Sequence, residues 1–121
     1  MKRVFVSFDF DNDQHLKNLL VGQARNKRTD FTLANWSLKE AAPSTTWERE
    51  ARDRIKRSDI VLVLVGADTY RAPGVLKEVN MAREESVKLV QVTQKGSGHT
   101  SVANAGRYYN WTWENLEAIL K

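Results

Sequence analysis

The run DIVLVLVG at residues 59–66 constrains this chain more than any other stretch. Its six central residues are all apolar, and four of them, Ile60, Val61, Val63 and Val65, are β-branched. Such a segment leaves no face for water, so it belongs in the middle of a sheet covered on both sides, the usual setting of parallel strands. Parallel neighbours must be joined by crossovers of a dozen or more residues, most often helices. The rest of the chain should therefore alternate strands with helices.

It does. RVFVSF at residues 3–8 sets Val4, Val6 and Phe8 against Phe5 and Ser7, with both faces largely apolar, and predicts the first strand. Leu16, Leu19 and Leu20 then recur at helical spacing, and Asp11 with Gln14 three residues on resembles a capping box, so a helix should start near Asp11 or Asp13. DFTLANWS predicts a short second strand. A second capping box, Thr45 with Glu48, precedes Trp47, Ala51 and Ile55, which define the buried face of a second helix. After the central strand, Pro73 suits a first helical turn, and Val75, Val79 and Ala82 repeat at helical intervals. VKLVQVTQ predicts a fourth strand, and residues 95–107, rich in Gly and Ser, read as a long polar loop. A short edge strand around residues 108–111 and a helix using Trp113, Leu116, Ile119 and Leu120 close the chain.

This order, with right-handed crossovers, predicts one α/β domain over residues 1–121: a three-layer, flavodoxin-like sandwich around a central parallel sheet of four to five strands. Ligands of such folds bind beyond the carboxyl ends of the strands, so residues 9–13, 35–44, 66–74 and 93–107 should line one rim.

Composition narrows the chemistry at that rim. The chain has no cysteine and two well-separated histidines, His15 and His99, which removes disulfides, thiolate sites and a cysteine nucleophile and argues against a histidine metal cluster. Ser7 has no neighbouring histidine in sequence, so a serine triad has no support. Nineteen Lys and Arg against fifteen Asp and Glu give a net charge of +4, too small to indicate a nucleic-acid partner. The longest apolar run is far shorter than the ~20 residues of a membrane-spanning helix, and MKRVFVSF lacks the apolar core of an export signal, so a cytoplasmic protein without membrane contact is expected.

The loop after the first strand reads FDFDND, and its three carboxylates would repel a phosphate there. Neither GxGxxG nor GxxxxGK[ST] occurs, which disfavours flavin, dinucleotide-fold and P-loop binding. Asp11 and Asp13 are expected to cap the first helix, whereas Asp9 precedes the cap and can face the rim. A receiver-like Mg²⁺ switch using Asp9, Asp11, Asp68 and Lys95 is one alternative; Asp68, which follows Gly66 and Ala67, does not sit at the strand tip that it requires.

Taken together, KRVFVSFDFDND, IKRSDIVLV and VLVLVGADTYRAPGVLKEVNMA resemble the TIR-like family of Thoeris antiphage systems and small stand-alone bacterial and archaeal relatives. The likeness extends from Val4 to the closing WTWENLEAIL. Enzymatic TIR domains cleave the nicotinamide–ribose bond of NAD⁺, and the resemblance places their helix glutamate at Glu78. It implies NAD⁺ as a substrate, with no separate cofactor and no metal, and an ADP-ribose or cyclic ADP-ribose-type product used as a signal. A carboxylate there would stabilise the oxocarbenium character that develops on the ribose. Phe8, Asp9, Trp36, Tyr70 and Arg71 are the candidate substrate contacts. The family's Trp three residues before the glutamate is replaced by Val75, which leaves a second reading open: a non-catalytic interaction module that self-associates or engages a protein of an effector pathway.

Overall fold

In the computed structural model, residues 2–25, 31–36 and 44–120 are described, the side chains of residues 31–36, 44 and 45 excepted. The elements are β1 (Lys2–Ser7), α1 (Gln14–Ala24), β2 (Phe31–Trp36), α2 (Ser44–Lys56), β3 (Ile60–Val65), a 3-10 turn (Thr69–Arg71), α3 (Pro73–Glu84), β4 (Lys88–Gln94), β5 (Arg107–Trp111) and α4 (Trp113–Leu120). The strands form one five-stranded sheet in the order β2-β1-β3-β4-β5, and every neighbouring pair is parallel. This is the flavodoxin-like α/β architecture that the sequence predicts.

The buried run of β3 explains the layering. All six of its residues are buried, with Val4 to Ser7 of β1 on one side and β4 along its full length on the other. Because strand side chains alternate, Ile60, Leu62 and Leu64 join Val4, Val6, Leu16, Leu20, Leu116 and Leu120 in one apolar layer. Val61, Val63 and Val65 join Phe5, Ala51, Ile55, Val75, Val79 and Ala82 in the other. The same alternation sends Ser7, two residues after Phe5, toward the α2 and α3 layer.

Local expectations fail where a tertiary contact outbids a local one. The Asp11–Gln14 capping box does not form: Asp13 occupies the cap position of α1 and makes no side-chain cap bond. Its carboxylate is taken instead by Thr69. Leu19 is 52 % exposed, so only Leu16 and Leu20 of the three leucines face the core. Thr45 lies inside α2 rather than before it.

The polar stretch after β4 is also more ordered than its composition suggests. Val102 and Ala105 are buried in the core. The Gln91 side chain accepts from Val102 N–H at 2.7 Å and donates to the carbonyls of Val102 and Gly106 at 3.0 and 2.9 Å. Gly106 has φ 81°, and a Cβ there would stand 2.7 Å from the Leu89 carbonyl carbon. These contacts return the chain to pair β5 parallel to β4 without an intervening helix. Among the described residues no helix is long and apolar enough to cross a membrane.

Candidate functional site

Glu78 sits on the inward face of α3. Val75, Val79, Met81 and Ala82 form the rest of that face, and at three and four residues' spacing Glu78 falls between Val75 and Ala82 on the same side. Its exposure is 0 %, so the carboxylate is removed from solvent. From the end of β1, the equally buried Ser7 hydroxyl donates to Glu78 Oε1 at 2.6 Å. A short bond to a carboxylate is among the stronger protein hydrogen bonds, and it ties the acid to the carboxyl edge of the sheet.

A narrow cleft opens beside this pair. Phe8, Asp9, Phe10, Trp47, Ala72, Gly74, Val75 and Glu78 line it. Phe8 and Phe10 stack with ring centroids 5.9 Å apart. The enclosed space is about 10 Å³, roughly enough for one water. Asp9 is 8 % exposed and organises the loop, accepting from the Asn12 side-chain amide at 2.8 Å and from the Asp11 N–H at 3.3 Å.

The structure thus brings Phe8 and Asp9 to Glu78 but leaves Tyr70 and Arg71 outside the cleft. Both are exposed in the 3-10 turn. Arg71 forms an ion pair with Asp68 at 2.7 Å and stands 5.7 Å from the Tyr70 ring centre, an arrangement of the turn surface. Trp36 is the last residue of β2, level with Val6, and its side chain lies outside the described residues, as do residues 37–43 of the expected rim. Two contributors lie outside the sequence-based candidates: Ser7 reads there as a residue of the first strand without a histidine partner, and Trp47 as part of the buried face of the second helix. Strand alternation points Ser7 toward α3, whereas nothing local in the sequence places Trp47 in the cleft.

A second, roomier concavity of about 280 Å³ lies where the start of α1 meets the turn after β3 and the end of β4. Asn12, Asp13, His15, Gly66, Asp68, Gln94 and His99 are among its lining residues. Asp13 is its buried anchor: Thr69 Oγ1 donates to its Oδ2 at 2.8 Å, and Gly66 N–H donates to the same hydroxyl at 2.7 Å. Burial pushes the Asp13 carboxyl above its ordinary value; the Thr69 bond opposes this, nearby Asp9 reinforces it, and His15 and His99 oppose it weakly. A Cβ at Gly66 would stand 2.6 Å from Asp13 Cγ, so any larger residue there would displace the Asp13 carboxylate from Thr69. Among the described residues no three His, Asp or Glu side chains are grouped to hold a metal, and the receiver-like set is dispersed, with Asp68 engaged by Arg71.

An all-parallel, flavodoxin-like α/β sandwich thus carries a buried glutamate at the carboxyl end of β1, beside the loop that follows that strand. The family model for the TIR-like domain of Thoeris protein ThsB matches residues 5–99, and the chain belongs to that family. Comparison with curated proteins finds no match.

Proposed function

We propose that this domain cleaves NAD⁺ at the nicotinamide–ribose bond and yields an ADP-ribose-type signal within antiphage defence. The observation that carries this reading is the buried Glu78 carboxylate, held by Ser7 at the base of a cleft lined with aromatic rings. Family membership supports the setting.

In the proposed reaction the bond between ribose C1′ and the nicotinamide nitrogen breaks, and its electron pair leaves with the ring. Nicotinamide departs neutral, so no general acid is needed. Glu78 stabilises the positive charge left on the sugar, in surroundings where few waters screen it. Water then adds at C1′ and loses a proton, giving ADP-ribose; an internal hydroxyl or ring nitrogen in its place gives a cyclic isomer. With room for about one water, the cleft admits a dinucleotide only when the cover of Phe8 and Phe10 opens. That closure, together with Val75 in place of an aromatic, is what favours the second reading, an interaction module that works by assembly.

Nicotinamide release from NAD⁺, followed with purified protein across a concentration series that spans self-association, tests the proposal. Wild type should release nicotinamide and Glu78→Gln should not. Equal release by both, or none by wild type at any concentration, rejects catalysis and leaves the interaction module.

A further inference from the structure

The cleft contains one polar group that the chemistry of Glu78 leaves unused. Trp47 of α2 is 4 % exposed and lines the same space as Glu78, and its indole N–H is buried with no acceptor among the described residues. Buried indole N–H groups ordinarily find a partner, because an unmet donor costs free energy that packing must offset. The ring is also held in place from outside. Lys77, the neighbour of Glu78, sets its ammonium 5.9 Å from the indole centre and is itself tied to Glu48 at 2.6 Å. A cation at that range favours an aromatic face, so the indole is clamped between α3 and the core.

Trp47 and Glu78 have opposite demands, while Asp9, the other polar side chain of the lining, is engaged by the Asn12 amide and the Asp11 N–H. An indole N–H only donates, whereas an ionised carboxylate only accepts and has lone pairs for several donors, Ser7 being one of them. A group that satisfies both must accept from one and donate to the other. A hydroxyl does this through one oxygen, whereas a carbonyl or ring nitrogen meets only the indole and an ammonium only the acid. The enclosed volume, about 10 Å³, is likewise of the size of one oxygen-centred group. We infer that Trp47 Nε1–H and the Glu78 carboxylate bracket a single sugar hydroxyl of the ligand, which makes Trp47 a specificity-determining residue for ribose. This rests on the ribose-binding part of the function proposed above, not on bond cleavage.

The test is a titration of ¹⁵N-labelled full-length protein with ADP-ribose, reading the indole N–H resonance that Trp47→Phe removes. The resonance should move saturably. Replacing Trp47 with benzothienylalanine, which keeps the bicyclic shape and exchanges N–H for sulfur, should weaken ADP-ribose binding about tenfold, the usual loss for one hydrogen bond to a neutral group. An indole signal unmoved by millimolar ADP-ribose overturns the inference, as does wild-type affinity in the sulfur variant. Nicotinamide release reports on the other reading separately: a moving indole signal without release keeps the ribose contact and removes the catalysis, whereas release with a stationary signal does the reverse.

Discussion

Removing the Ser7 hydroxyl tests whether Glu78 is held as a charged group. In Ser7→Ala the acid loses a 2.6 Å bond at a site closed to bulk solvent. Hydrogen bonds to charged groups contribute about 1.5–3 kcal/mol. Unfolding carries about 2.1 cal/mol/K of entropy per residue, which for 121 residues is about 0.25 kcal/mol/K. Ser7→Ala should therefore lower Tm by about 6–12 °C. In a Glu78→Gln background the hydroxyl meets a neutral amide oxygen, the bond contributes about 0.5–1.5 kcal/mol, and the same change should cost only about 2–6 °C. Glu78→Gln alone should leave Tm near wild type or raise it, since it relieves a buried carboxylate while keeping an acceptor for Ser7. Calorimetry of the four proteins at neutral pH closes the cycle. Equal losses from Ser7→Ala in both backgrounds would refute the charge-assisted bond, and a large loss from Glu78→Gln alone would mark the acid as a structural element.

Two further perturbations follow from the rim. The Asp13 carboxyl is raised by burial above its ordinary value of 3.8, so the folded state binds its proton more tightly than the unfolded chain. Its contribution to stability is then full below the unfolded value and is lost as pH rises through the folded one. Asp13→Asn, which removes the titration and keeps an oxygen for Thr69, should gain Tm relative to wild type between about pH 4 and about pH 7; a difference that shrinks over that range contradicts the assigned burial effect. Gln91→Met strips partners from Val102 N–H and from the carbonyls of Val102 and Gly106. Hydrogen exchange at the Val102 amide should accelerate by about tenfold or more while Val63 in β3 keeps its protection, and unchanged exchange at Val102 argues against a latch.

The parallel sandwich was legible because its signals are local and repeated. The β3 run, the 75–79–82 stripe and the 47–51–55 stripe each state which face must be buried, and all three faces are buried in the fold. Glu78 was singled out by the resemblance to TIR-like domains, and its inward position, between Val75 and Ala82 on the buried face of α3, came from the fold. What the sequence could not express is choice among partners. Asp13 has the chemistry of a helix cap, and only the approach of Thr69 across the β3 turn draws it away. Gln91 reads as one more polar strand residue until the following loop folds back onto it. Trp47 satisfies its helical stripe equally well as core or as cleft wall, and the packing of α2 against α3 beside the carboxyl end of β1 decides for the cleft. Periodicity thus determined which faces are hidden from water, because burial is set by spacing along one element. Which polar groups meet inside was decided by tertiary structure, because a hydrogen bond between two elements forms only where packing brings a donor and an acceptor atom within about 3 Å.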